Sequence, residues 1–182
     1  FDALVNYLTF GLQVNSWDSD TEIVHFIGKD IARMHALLWP CMLKSAGYEL
    51  PSHIYDHAFL SLNGKKISKS LGNVIAPKDL VEKYGVDSVR YYFLRYGPIV
   101  EDSDFSETHF QTVYNADLAN GLGNTVARLA KLAEKSNFSF VFDITKDDIL
   151  NKEFTQFFNV FRVDLALQYI WSKLSDLDKH IN

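Results

Sequence analysis

The sequence of 182 residues has a single cysteine, a negative net charge of −5 and no apolar run long enough to span a bilayer. With only Cys41, the chain can form neither a disulfide framework nor a thiol-based metal site. The negative charge also excludes a global basic field that would attract nucleic acid over the whole surface. We therefore expect a cytoplasmic protein in a reducing environment, without a membrane segment or a signal peptide.

The remaining composition is that of a folded protein. Hydrophobic residues make up 47% of the chain, which is enough for a sizeable core, and the length suggests one or two domains. The sequence begins at Phe1 in the middle of a pattern, so we expect a fragment or one polypeptide of a split protein.

Positive charge is concentrated in one part of the sequence. Residues 65–95 contain seven lysines and arginines against three acidic residues. The densest stretch is residues 65–70, Lys-Lys-Ile-Ser-Lys-Ser, directly after the turn signal Asn63-Gly64. Three ammonium groups and two hydroxyls on one loop can bind a polyanion and neutralise charge that develops during phosphoryl or nucleotidyl transfer. A solvated basic turn is the alternative that the lysines alone leave open.

The segments on both sides of this loop have clear local signals. Residues 54–62 mix aromatic, aliphatic and polar side chains and predict a strand that runs into the turn. Residues 77–85 begin with proline and end with glycine, which predicts a short helix, and a second helix follows at once. The lysines are therefore expected at the edge of a rigid hairpin.

The first part of the chain alternates helix and strand signals as an α/β layer does. Residues 23–27 predict a short apolar strand, and Gly28, Lys29 and Asp30 open a helix that extends to about Ala46. Ligands of doubly wound sheets bind at such a junction, although an ordinary βα turn explains it equally well.

Within that helix, Ile31 and His35 lie one turn apart on the same face. A histidine on an apolar face is more often a core residue with its hydrogen bonds satisfied than a ligand contact. Pro40 is expected to kink the helix or to leave one carbonyl unpaired.

From Ser106, a predicted N-cap, the pattern is helical to the end. Two further amphipathic segments, about residues 148–161 and 164–180, would complete a bundle. Gly121 and Gly123 either allow a close approach to the backbone or mark a break between two helices. The following helix carries two stripes with the same helical spacing. The apolar stripe is Leu122, Val126, Leu129 and Ala133, and the polar stripe is Asn124, Arg128, Lys131 and Lys135.

Several ordered blocks together resemble class I aminoacyl-tRNA synthetases, and within that class most closely the methionyl-tRNA synthetase family. One block is similar to the second signature of the class. It runs from the predicted strand through Asn-Gly and Lys-Ile-Ser-Lys-Ser-Leu-Gly-Asn to the helix that contains Val-Asp-Ser-Val-Arg-Tyr-Tyr. Residues 1–7, 25–31 and 35–40 are similar to segments of the family in the same order. The resemblance extends to about Lys135 and continues more weakly to the end.

The resemblance implies an α/β fold in which a partial Rossmann-like nucleotide-binding layer precedes a Lys-Ile-Ser-Lys-Ser connecting domain and an α-helical bundle. The implied domains are the second half of the catalytic domain, residues 1–64, the signature-loop domain, residues 65–105, and a truncated anticodon-binding domain, residues 106–182. The family's first signature and its metal-binding insertion precede Phe1, so an N-terminal catalytic half is an expected partner and no metal site is expected here.

The activity that the resemblance implies is ATP-dependent activation of methionine, with Mg²⁺ bound to ATP, followed by transfer to the 3′ end of tRNA(Met). In that reaction the lysine loop neutralises charge on the departing pyrophosphate. The implied site residues are Lys66 and Lys69 for catalysis, Lys66, Ser68, Lys69, Ser70, Gly28 and Asp30 for ATP, Ala3, Tyr7, Ile31 and His35 for methionine, and Asn124 and Arg128 for the anticodon.

Two other functions remain open at this point. A non-catalytic tRNA clamp would keep the lysine loop and the bundle, and would bind tRNA in a salt-sensitive manner without an effect of ATP. Leucyl, isoleucyl, valyl and cysteinyl enzymes share a similar loop. The set Ala3, Tyr7, Ile31 and His35 argues against them, as does the lack of a Cys/His cluster suited to a cysteine-selective zinc site. Because the upstream half is missing, the isolated chain is expected to be nearly inactive.

Overall fold

A computed structural model describes residues 2–68, 70, 72–136 and 152–181. The chain divides into two compact units, Phe1–Phe59 and Leu60–Asn182. Within the described ranges, no helix is both long and apolar enough to cross a membrane.

The first unit has the α/β character that the sequence predicts. Strands β1 and β2 pair in parallel, with Val24 opposite His53 and Gly28 opposite His57. A parallel pair requires a crossover connection, and the helical segments between the strands supply it. The elements in chain order are α1 (Asp2–Gln13), β1 (Val24–Gly28), a 3₁₀ turn (Lys29–Ile31), a π-helical turn (Met34–Leu38), α2 (Trp39–Ala46) and β2 (His53–His57).

The core of the first unit is built around two tryptophans. Trp39 is 2% exposed, and its ring meets that of Trp17 edge-on at 5.9 Å between centroids. The Trp17 indole N–H donates to the Glu49 carbonyl at 3.0 Å. Gly11 of α1 lies against Trp17, since a Cβ at this position would be 2.7 Å from the ring. Leu4, Ile23 and Leu43 complete this buried cluster.

The predicted helix after β1 forms, and Pro40 is accommodated by a widened turn. The Trp39 N–H donates to the Met34 carbonyl, five residues earlier, as in a π-helix. Pro40, which has no N–H to donate, then occupies the first turn of α2, where an N–H has no partner within the helix.

The second unit begins with a small three-stranded sheet in the order β4-β3-β5. Strands β3 and β4 form the predicted hairpin, in which Leu62 faces Lys65, and Asn63 and Gly64 both have positive φ. Strand β5 is parallel to β3. The elements are β3 (Leu60–Leu62), β4 (Lys65–Lys66), α3 (Pro77–Tyr84), α4 (Val86–Tyr96) and β5 (Ser103–Phe105).

The prediction of one strand over residues 54–62 is wrong. Strand β2 ends at His57 in the sheet of the first unit, and β3 begins at Leu60 in a different sheet. The hydrophobic pattern continues across this change, because it reports burial of side chains and not which strand is the neighbour.

The described residues of the second unit after β5 are mostly helical, as predicted. Ser106 caps α5, and its hydroxyl accepts from the His109 N–H at 3.2 Å. The predicted segments at residues 148–161 and 164–180 correspond to α7 and α8, and residues 148–151 lie outside the described residues. The elements are α5 (Glu107–Val113), a π-helical segment (Tyr114–Gly123), α6 (Asn124–Lys135), α7 (Lys152–Asn159) and α8 (Val163–Ile181).

The helix does not break at Gly121 and Gly123. A Cβ at Gly121 would be 3.1 Å from the Ala116 carbonyl oxygen, and one at Gly123 would be 3.1 Å from that of Leu118. Both carbonyls lie five residues earlier, where the wide π turn brings them close. Glycine at these two positions therefore makes room for carbonyl groups of the same helix.

The core of this unit joins α3, α4, β5 and α5. Tyr92 and Phe105 are each 2% exposed, and their rings meet edge-on at 5.5 Å. Leu167 and Trp171 of α8 pack on the same cluster. The core thus contains residues from both sides of the expected domain boundary between residues 105 and 106. The division into a signature-loop domain and a helical bundle at this boundary stays a prediction. Buried members of the cluster are Leu80, Val89, Tyr91, Tyr92, Phe105, Phe110 and Val113.

The apolar stripe of α6 contrasts with this core. Val126 and Leu129 are 55% and 39% exposed, whereas Thr125, between the stripes, is 4% exposed. The buried side of α6 is therefore set by its contact with α8 and not by the hydrophobic pattern of α6.

Candidate functional site

Three of the four residues implied for methionine come together in the first unit. The Tyr7 hydroxyl lies 3.1 Å from His35 Nε2, and His35 Nδ1 lies 3.0 Å from the Ile31 carbonyl oxygen. Because a carbonyl only accepts, Nδ1 carries a proton and donates to Ile31, whereas either atom can be the donor in the contact between Nε2 and the Tyr7 hydroxyl. The two contacts together fix the orientation of the His35 ring. The Ile31 side chain is 40% exposed, and Ala3 is exposed on α1 one turn before Tyr7.

A second histidine, His25, completes the cluster, and sequence reasoning missed its role. His25 is 7% exposed on β1 and accepts at Nε2 from the Trp39 indole N–H at 3.3 Å. Its ring lies 4.7 Å from that of Tyr7 and 5.9 Å from that of His35. Burial, and to a smaller degree the neighbouring His35, lowers the pKa of His25 below 6.5. The signal available in the sequence was the position of His25 as the one polar residue in the apolar run of residues 23–27.

Gly28 and Asp30 lie together at the carboxyl end of β1, as predicted. A Cβ at Gly28 would be 2.8 Å from Asp30 Oδ1, so glycine lets the carboxylate lie against the backbone. Asp30 is exposed and able to accept from hydroxyl groups. Between them, the Lys29 ammonium lies 4.5 Å from the centre of the Phe59 ring. The Lys29 side chain therefore packs on an aromatic ring of the first unit.

The lysine loop is presented by the β3–β4 hairpin of the second unit. Lys66 is exposed at the end of β4, and the Ser68 and Ser70 hydroxyls lie 2.8 Å apart. Lys69 lies outside the described residues. The exposed ammonium and paired hydroxyls are groups that can bind phosphate oxygens.

Two side chains that sequence reasoning did not single out anchor this loop. Asp104 of β5 accepts from the Ser61 hydroxyl at 2.5 Å and from the Gly64 N–H at 2.8 Å. These hydrogen bonds lower the pKa of Asp104. Asn73 accepts from the Ser68 N–H at 3.0 Å and donates to the Lys66 carbonyl at 2.9 Å. Neither contact has a sequence signal.

Asn124 and Arg128, implied for the anticodon, line one groove between the start of α6 and α8. The groove has a volume of about 220 Å³. Arg128 donates to Asp178 at 2.9 Å, and Thr125 is 3.5 Å from the same carboxylate oxygen. Asp178 is a residue that sequence reasoning missed, because it lies 50 residues from Arg128. The remaining lining residues include Asn120, Leu122, Trp171, Leu174 and Ser175.

A metal centre does not form in the described parts of either unit. Among residues 2–68, 70, 72–136 and 152–181, no three His, Cys, Asp or Glu side chains are grouped so that they could hold a metal ion.

Comparison with known proteins shows which family the chain resembles. Residues 1–130 match the family described as tRNA synthetases class I (M). The chain is 39% identical to a methionine–tRNA ligase of Fusobacterium nucleatum, covering all of the chain and 31% of the relative. It is 48% identical to that of Thermosynechococcus vestitus, covering 74% of the chain and 27% of the relative.

A solved structure shows the same relationship. Mycobacterium tuberculosis methionyl-tRNA synthetase bound by methionyl-adenylate matches with a TM-score of 0.80 and 38% identity, over 98% of this chain and 38% of that one. The chain thus spans about a third of the length of the relatives it matches. With a family match over most of its length and relatives above 30% identity, the chain belongs to the class I tRNA synthetases of the methionyl type.

Proposed function

We propose that this chain is part of an enzyme that activates methionine with ATP and transfers it to the 3′ end of tRNA(Met). The observation that carries the proposal is the Tyr7–His35–Ile31 cluster, whose hydrogen bonds hold an imidazole beside aromatic rings. Relatives named methionine–tRNA ligase support the same function.

The cluster suits a thioether side chain. Methionine is apolar, unbranched and polarisable, so it calls for aromatic and aliphatic walls with one polar edge near the sulfur. Ala3, Tyr7 and Ile31 would supply the walls. The Tyr7 hydroxyl, held in place by its hydrogen bond with His35, would supply the polar edge, because a hydroxyl can both donate and accept.

Gly28 and Asp30 would bind the adenosine part of ATP. The glycine permits close approach of a ligand to the backbone, and the exposed carboxylate can accept from ribose hydroxyls. The support is their position at the carboxyl end of a parallel strand, where α/β sheets bind ligands.

The lysine loop would act on the phosphates of ATP, which binds with Mg²⁺. Lys66 and Lys69 would neutralise charge growing on the departing pyrophosphate, because a lysine carries its ammonium on a four-carbon stem that can follow the phosphates. Ser68 and Ser70 would donate hydrogen bonds to the same oxygens. The support is the exposure of Lys66 and the paired hydroxyls on an anchored hairpin.

The helical part would recognise tRNA. Asn124 can bond base edges, and Arg128 can stack on a base or bind phosphate. Both line one groove, which supports a shared ligand. Residues 65–105 would form the signature-loop domain and residues 106–182 the truncated anticodon-binding domain. A cytoplasmic location follows from this function.

The test is methionine-dependent exchange of labelled pyrophosphate into ATP. It is measured for this chain alone, for the chain mixed with a separately produced upstream half, and for the full-length protein that carries it. We expect exchange in the full-length protein and in the mixture, and its loss in Lys69→Ala. Salt-sensitive tRNA binding without any exchange in the full-length protein would instead establish a tRNA clamp.

A further inference from the structure

The side chain of Asn73 forms two hydrogen bonds to the backbone of the lysine loop. Its Oδ1 accepts from the Ser68 N–H at 3.0 Å, and its Nδ2 donates to the Lys66 carbonyl at 2.9 Å. In an extended chain, the carbonyl of one residue and the N–H of the second residue after it face the same edge. Asn73 therefore binds the two groups that a neighbouring strand would bind.

The need for such a partner follows from the length of the hairpin. Strand β4 contains only Lys65 and Lys66, and its pairing with β3 ends at Lys66 opposite Ser61. Beyond Lys66 the backbone is no longer paired with β3. The Asn73 amide binds the edge of this segment that faces away from β3, at Lys66 and Ser68, so the loop keeps a defined direction after the sheet ends.

Asparagine is suited to this position because its amide offers one acceptor and a donor on a rigid plane. An aspartate could still accept from the Ser68 N–H, but its second oxygen would face the Lys66 carbonyl and repel it. Gly72 has a φ of +67°, which favours glycine and lets the chain turn back so that Asn73 reaches the loop.

The two ends of the loop are anchored differently. Asp104 bonds Ser61 and Gly64 and so secures the hairpin turn before Lys66. Asn73 secures the segment that carries Lys66 and Ser68 themselves. Of the two anchors, the second is the one that contacts the backbone of Lys66 and Ser68.

We infer that Asn73 is a positioning residue for nucleotidyl transfer, which aims the Lys66–Ser68 backbone so that the loop's ammonium and hydroxyl groups meet the phosphates of ATP. This inference rests on the proposed function. A displacement of about 1 Å in a positioned catalytic group can lower the rate about a hundredfold, so loss of the Asn73 amide acts mainly on kcat.

The first measurement is methionine-dependent pyrophosphate exchange in the full-length protein, for wild type, Asn73→Ala, Asn73→Asp and Lys66→Ala. Val74→Ala is the matched control, since Val74 is the next residue and its side chain is 49% exposed. Both Asn73 variants are expected to lower kcat about tenfold or more, with the KM for methionine and the melting temperature unchanged. Val74→Ala is expected to match wild type.

The second measurement is amide hydrogen exchange of Ser68 in the 182-residue chain, which does not depend on catalysis. The Ser68 N–H is expected to be protected in wild type and Val74→Ala, and to exchange faster in Asn73→Ala. If kcat falls while Ser68 exchange is unchanged, the effect does not pass through the amide and the inference is wrong.

The remaining outcomes separate the inference from the proposed function. Wild-type exchange that is lost in Lys66→Ala but kept within about twofold in both Asn73 variants would overturn the inference alone, because displacement of a catalytic group should cost far more. Absence of exchange in wild-type full-length protein would overturn the proposed function and the inference with it.

Discussion

The Tyr7–His35 cluster and the lysine loop use opposite means to present functional groups. In the cluster, the Tyr7 and Trp39 rings lie beside the buried His25 and His35, and both histidines are held by hydrogen bonds. In the loop, Lys66 is exposed, and the Asn73 amide bonds the backbone of Lys66 and Ser68. An apolar substrate needs preformed walls, whereas phosphates that move during the reaction need charges on flexible stems.

The largest effect that this comparison predicts comes from the loop. Lys69→Ala should lower kcat about a hundredfold or more, because one charge is removed from the transition state, and should change ground-state binding of ATP much less. The measurement is pyrophosphate exchange over a range of ATP concentrations in the full-length protein. Lys65→Ala, which removes a neighbouring exposed ammonium, is the control. An equal loss in both variants would mean that only the local net charge matters.

A smaller effect, of a different kind, is expected in the cluster. Tyr7→Phe keeps the ring but removes the hydroxyl that contacts His35 Nε2. In the proposed pocket this hydroxyl is the polar edge for the substrate, so the KM for methionine should rise about tenfold while kcat changes little. Tyr48→Phe on the exposed surface is the control. If Tyr7→Phe changes kcat and not KM, the distinction between a binding cluster and a catalytic loop is wrong.

The pH dependence of stability should also differ between the regions. His25 has a lowered pKa in the folded protein, so below pH 6.5 the unfolded chain binds this proton more readily. The stabilisation that is present above pH 6.5 should therefore be lost as the pH falls from there to the lowered pKa. Urea unfolding followed by tryptophan fluorescence from pH 7.5 to 5 measures it. His25→Gln should show a weaker dependence in this interval, and an unchanged dependence would contradict the assignment.

The smallest effect is expected at the hairpin turn. Asp104→Asn keeps an acceptor for the Gly64 N–H, whereas Asp104→Ala removes it and leaves the Ser61 hydroxyl with the longer contact to the Ser103 carbonyl, at 3.3 Å. Amide exchange at Gly64 should be faster in Asp104→Ala than in Asp104→Asn. Turnover should fall less than in the Asn73 variants. A larger fall would show that the turn, and not Asn73, determines the direction of the loop.

Most helices could be predicted from the sequence, because their signals are local. Pro77 and Gly85 bound α3, Ser106 caps α5, and Asn63-Gly64 forms the hairpin turn, as predicted. Each depends on backbone geometry within a few residues. The continuous strand over residues 54–62 could not be corrected from the sequence, since the partners of β2 and β3 lie in distant parts of the chain.

The sequence by itself determined the lysine loop, most of the helices, and the resemblance that implies one site for Tyr7, Ile31 and His35. Only the tertiary structure decided that Trp39 bonds His25, and that Asp178 pairs with Arg128 across 50 residues. The physical reason is that local spacing fixes which groups share a face of one element. A hydrogen bond between elements depends on how those elements pack.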